Sequence, residues 1–170
     1  MNAAPEFDEI DLSVALGEAG PSSTVEADDI EGVFVQLWDE AGSRAGEAEA
    51  QYQRALALRE AGQMDAAIVA LEIASRAPRL RFQAATLLGR IYRSKGALPQ
   101  AIEWFERAAE ASAPTLNEAH LLLYELADVL ESSGEVARAL AICLELQADA
   151  GEFKDVATRI DRLAKVQTRG

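Results

Sequence analysis

Residues 84–112 read AATLLGRIYRSKGALPQAIEWFERAAEAS. Two helix-forming runs flank Gly96, rich in Ala, Leu, Arg and Glu. A glycine between two such runs is the usual left-handed stop of a helix. The pattern recurs on both sides of this stretch. Residues 51–78 read QYQRALALREAGQMDAAIVALEIASRAP, and residues 123–150 read LYELADVLESSGEVARALAICLELQADA. Gly62 and Gly96 are 34 residues apart. Gly96 and Gly134 are 38 apart, with four extra residues in the SAPTLNEA connection. Five residues after each glycine stands Ala67, Ala101 or Ala139. Four later comes Leu71, Phe105 or Cys143, and three later Ala74, Ala108 or Leu146. Small residues let two helix backbones approach, and the large residue fills the space beside them. The spacing predicts an all-α fold with three helix–turn–helix units over residues 47–150, at about 47–80, 81–114 and 115–150.

These offsets resemble the tetratricopeptide repeat pattern, which has Leu-Gly, then Tyr, then Ala, Phe and Pro. The middle unit matches best, with Leu88-Gly89, Tyr92, Gly96, Ala101, Phe105 and Ala108. The first unit has Arg54-Ala55 for Leu-Gly and Leu58 for Tyr, but keeps Tyr52 and Pro78. The third has Leu126-Ala127 and Leu130 and lacks the closing Pro. Gln51, Ala85 and Leu123 stand where the family pattern has Trp. The resemblance implies a right-handed α–α superhelix, a tetratricopeptide repeat solenoid with capping helices at both ends. It also implies that the first helix of each repeat lines a concave groove for another protein. An acidic arm followed by such repeats is similar to the C-terminal modules of longer bacterial scaffold proteins.

Outward from the repeats, residues 28–42 read as an N-terminal capping helix. Asp28 or Asp29 would cap its start. Ile30, Phe34, Leu37 and Trp38 form one apolar stripe that should be buried, and Gly42 should end the helix. At the other end, residues 151–167 read as a solvating helix. Phe153, Val156, Ile160 and Leu163 would face inwards, with Lys154, Asp155, Arg159, Arg162 and Lys165 outwards. Residues 1–27 read as an acidic flexible arm, since Pro5, the GEAGPSS run and the charge disfavour a packed element. Within it, Phe7, Ile10 and Val14 make one helical face beside Asp8, Glu9 and Asp11, a candidate docking motif. The alternative is a solvated tail with scattered apolar residues.

The formal charge is −13, and residues 1–50 carry −12 of it, with 13 acidic side chains against Arg44 alone. That sign disfavours nucleic acid and anionic membranes as partners. No stretch is long and apolar enough to span a bilayer, and the start MNAAPEFDEID is unlike a secretory signal. A cytoplasmic location is the simplest expectation, and a single cysteine excludes an intrachain disulfide.

Catalysis has little support. Cys143 occupies the core slot of Leu71 and Phe105, so a buried thiol is expected. His120 follows a capping box, Thr115-x-x-Glu118 after Pro114, and reads as a surface or rim residue without metal partners. No phosphate-binding loop occurs and no cofactor is expected. The resemblance instead points to a groove. Counting back from each turn glycine gives Glu49, Tyr52, Leu56, Arg59 and Glu60; Gln83, Thr86, Arg90, Arg93 and Ser94; and Leu121, Tyr124, Asp128, Glu131 and Ser132. Tyr52 and Leu56 stand where some relatives clamp a chaperone's C-terminal carboxylate, so that clamp is absent. Residues 76–95 hold six basic groups and no acidic one, which predicts a positive centre at Arg90 and Arg93. The expected function is a non-catalytic adaptor, monomeric or weakly dimeric. It would bind an acidic segment with apolar anchors, or its own arm. Self-association through the repeats or through the 28–42 helix is the second reading.

Overall fold

The computed structural model describes residues 27–168. The docking motif Phe7–Val14 lies outside them. The described residues form seven α-helices and no strand: α1 (Ala27–Glu60), α2 (Met64–Ala74), α3 (Arg81–Ser94), α4 (Leu98–Ala109), α5 (Leu116–Ser132), α6 (Val136–Ala150) and α7 (Val156–Gln167). The chain divides into two compact units, Met1–Glu40 and Ala41–Gly170. In the second unit each helix from α2 onwards packs on the next along the chain, as in an α-helical solenoid.

The three turns are alike. Gly62, Gly96 and Gly134 have φ of 76°, 73° and 84°. Beyond each glycine the next N–H reaches back five residues: Gln63 to the Leu58 carbonyl, Ala97 to Tyr92, and Glu135 to Leu130, each at 2.9 Å. These bonds satisfy carbonyls that the helix end leaves without partners. A side chain at the glycine would strain this left-handed turn.

The packing code is realised. Ala67, Leu71, Ala74, Ala101, Phe105, Ala108, Ala139, Cys143 and Leu146 are all 0–1% exposed. Burial also pushes the Cys143 thiol pKa up, which keeps it protonated. The first helices carry a matching small residue seven positions before each turn glycine, namely Ala55, Gly89 and Ala127, all buried. Where the second helix carries Phe105, the first carries Gly89, and a Cβ there would come 2.6 Å from the Phe105 ring. Where it carries the smaller Leu71 or Cys143, the first carries Ala.

Helix α1 differs from expectation. Gly42 does not end it; the helix runs on to Glu60. A glycine within a helix costs only about 1 kcal/mol relative to alanine, so it need not stop one. The stripe of Ile30, Phe34, Leu37 and Trp38 is exposed rather than buried.

The C-terminal end is more polar inside than the helical wheel suggests. Val156 and Leu163 are buried and Phe153 and Ile160 half-buried, as their stripe implies. Arg159, expected on the outer face, is buried as well. Its guanidinium donates to Asp128 at 2.9 Å and to Glu131 at 3.0 Å, both on α5. Burial disfavours its charge, but these carboxylates outweigh burial and raise its pKa. Residues 151–155 form the turn into α7. There Lys154 adopts φ 46° and places its ammonium 4.1 Å from the Tyr124 ring centre. The Tyr124 hydroxyl donates to Asp155 at 2.7 Å, and this bond holds the Asp155 carboxyl below its usual range. His120 is buried, not on the surface. Its Nε2 lies 2.7 Å from Asp149 and its ring meets Phe153 edge-on. Thr115 caps α5: its hydroxyl accepts the Glu118 N–H at 3.2 Å and donates to the Glu118 carboxylate at 2.9 Å.

Three outcomes test this packing. Gly89→Ala lowers unfolding stability in urea by about 1–3 kcal/mol through overpacking on Phe105, whereas Gly42→Ala, in open space, does not lower helix content in far-ultraviolet circular dichroism. Arg159→Met costs about 1–3 kcal/mol in the same measurement, because Asp128 and Glu131 lose its charged hydrogen bonds and keep only Arg93 and Arg162. Tyr124→Phe is read against pH. Asp155 has a folded pKa below its unfolded value, so its contribution is present above the unfolded pKa and disappears as pH falls through the folded one. The stability gap between wild type and Tyr124→Phe therefore exists at neutral pH and closes below about pH 4.

Candidate protein-binding face

Helices α1, α3 and α5 are the first helices of the three units, and the residues counted back from the turn glycines lie along them. Five of those residues meet in one pocket of about 190 Å³: Tyr52 from α1, Gln83, Thr86 and Arg90 from α3, and Leu121 from α5. Phe82, Leu87 and Glu118 complete the lining. The local cause is helical spacing, since 83, 86 and 90 fall on one side of α3. Thr86 is buried, and its hydroxyl donates to the Phe82 carbonyl at 2.7 Å. Burial pushes the Tyr52 phenol above the ordinary tyrosine range, so it stays neutral and can donate a hydrogen bond. Tyr52 and Leu56 also pack on the core shared by α1, α2 and α3.

The remaining residues do other work. Glu49 accepts from the Gln53 side-chain amide at 3.0 Å, and Arg59 is half-buried in the last turn of α1. Tyr124 is engaged by Asp155 and Lys154. Asp128 is held between two arginines. Glu60, Ser94 and Ser132 are exposed. The Ser94 hydroxyl donates to the Ile91 carbonyl at 2.7 Å and that of Ser132 to the Asp128 carbonyl at 2.8 Å.

The positive centre expected at Arg90 and Arg93 is neutralised. Arg90 makes two parallel bonds to Glu125, at 2.8 and 2.9 Å. Arg93 pairs with Asp128. Asp128 also takes Arg159, and Glu131 takes both Arg159 and Arg162. A ladder of ion pairs thus joins α3 to α5 and α5 to α7, with alternate charge from each helix. Cations counted along one segment carry no record of Glu125 and Asp128, the carboxylates of the next repeat that lie opposite them. Arg90 remains half-exposed, so its outer edge is open to a partner group.

A larger cavity, about 830 Å³, was not foreseen. It lies between the 41–49 turns of α1 and the 73–80 segment that ends α2. Ala41, Ala45, Ala48, Ile73 and Leu80 give it an apolar floor, with Arg76, Arg79 and Glu47 among its charged lining. The available signal was the run of small residues at Ala41, Ala45 and Ala48. Among the described residues, no group of three or more His, Cys, Asp or Glu side chains is placed to hold a metal ion, and no helix is long and apolar enough to cross a membrane.

Residues 52–115 match the tetratricopeptide repeat family. No curated protein matches the chain. Repeats of this family generally mediate protein–protein interaction and are typically non-catalytic. The match runs from α1 to the start of α5, and the same packing code continues at Ala139, Cys143 and Leu146. Within residues 52–115 the chain carries tetratricopeptide repeat sequence.

Proposed function

We propose that this protein is a non-catalytic adaptor whose first-helix face holds a peptide or helical segment of another protein. The observation that carries this reading is the 190 Å³ pocket, in which three successive first helices contribute to one site. An apolar side chain of the partner sits between Tyr52 and Leu121. The neutral phenol of Tyr52, the amide of Gln83 and the outer edge of Arg90 bond its backbone or flanking polar groups. Because Arg90 and Arg93 already have carboxylate partners, apolar anchoring carries more of the affinity than charge does. The non-catalytic reading is supported by Cys143, a buried neutral thiol, and by His120, whose Nε2 lies at Asp149. The acidic arm, through Phe7, Ile10 and Val14, competes for the same pocket in this reading.

Peptides selected from a displayed library on the full-length chain test the site. Leu121→Asp weakens the best peptide by about 2 kcal/mol, roughly thirtyfold in Kd, without loss of helix content. Removal of residues 1–26 tightens it. Undiminished binding to Leu121→Asp sinks the pocket, and unchanged affinity after the deletion sinks the competition by the arm.

A further inference from the structure

The first turns of α1 hold the largest exposed apolar face among the described residues. Ile30, Phe34, Leu37 and Trp38 are 56%, 60%, 57% and 69% exposed, and Val33 is exposed beside them. Steps of four, three and one residue put them on one side of the helix.

This helix has weak reasons to stand alone. Gly32 and Gly42 lie within it, and no atom lies near enough to either to require a glycine. Each lowers helix stability relative to alanine. On its own, a helical stretch as short as Ala27–Glu40 is marginal in water without a packed apolar face. An exposed stripe of this size on a helix of this composition is the signature of a docking site.

Charge decides among occupants. Residues 27–39 contain Asp28, Asp29, Glu31 and Asp39 and no Lys or Arg. A second copy would bring the same carboxylates against these. The chain's own arm, residues 1–26, adds six acidic groups and no basic one. Both meet like-charge repulsion, and so does an anionic membrane surface. An apolar stripe flanked by Lys or Arg meets the opposite. We propose that the Ile30–Trp38 face of α1 docks an amphipathic helix of a partner protein whose apolar stripe is flanked by basic residues. This site is separate from the Tyr52–Leu121 pocket and carries a second, differently charged partner segment.

The test uses two synthetic helical peptides with one leucine stripe, flanked by lysine in the first and by glutamate in the second. Their Kd values for the full-length chain are measured by calorimetry at physiological salt. The lysine peptide is expected to bind at least about tenfold tighter. Phe34→Asp with Trp38→Asp lowers that affinity about tenfold, although the change adds negative charge. Glu31→Lys with Asp39→Lys reverses the preference between peptides. Leu121→Asp has no effect, which separates this site from the pocket. All four substituted positions on α1 are exposed, and circular dichroism checks that the repeats stay folded. Equal binding of the two peptides overturns the proposal, as does undiminished binding to Phe34→Asp/Trp38→Asp. Tighter binding after removal of residues 1–26 overturns it by showing that the arm covers the face. A micromolar dimer lost in Phe34→Asp/Trp38→Asp overturns it in favour of a second copy.

Discussion

The close approach of paired helices at small residues is the constraint on which the rest depends. At Gly89 there is no room for a Cβ beside Phe105, and at Ala67, Ala101 and Ala139 the second helices cross with almost no exposure. Volume is balanced within each repeat. The largest core residue faces glycine, and the smaller Leu71 and Cys143 occupy units whose first helix carries alanine. Close-packed interiors tolerate little departure from such matching. Because the code repeats, each unit buries its apolar side only by stacking on its neighbour, and the first helices end up side by side. The candidate binding face is a consequence of that stacking rather than an independent feature.

Polar groups then fix how the first helices sit together. Arg90 with Glu125, Arg93 with Asp128, and Arg159 with Asp128 and Glu131 link α3, α5 and α7 in turn. The exposed members contribute modestly, as surface pairs do. Arg159 differs because it is buried and fully engaged. It lets a charged residue take a core position on a terminal helix. The same ladder consumes the positive charge that would otherwise define the face, which leaves the Tyr52–Leu121 pocket as its distinguishing element.

Legibility in the sequence followed locality. The turn glycines, the small-residue offsets and the Thr115 cap are short-range patterns, and each matches the structure. Gly42 misled because a helical glycine and a left-handed turn glycine look alike in one sequence. The residue five positions further on separates the two kinds: it is Ala after Gly62, Gly96 and Gly134, and Glu47 after Gly42. Arg159 and His120 were misplaced because their partners Asp128, Glu131 and Asp149 lie 28 to 31 residues away. A helical wheel holds no record of such pairs. Even so, Arg159 sits between Val156 and Leu163 at helical spacing, a signal that it borders the inner stripe. Five candidate groove residues meet in the pocket because one spacing rule governs each first helix. Arg93, Tyr124 and Asp128 serve α5 and α7 instead, a consequence of tertiary pairing.

Partner protein on the first-helix face would lie within reach of a cross-linker placed there. A photoreactive amino acid placed at Gln83, on the rim of the pocket, tests this most directly in cells. The same residue placed at Ala141, exposed on the second helix α6, serves as comparison. A covalent protein adduct is expected from position 83 and none from position 141. Adducts from position 141 with none from position 83 would contradict partner binding on this face.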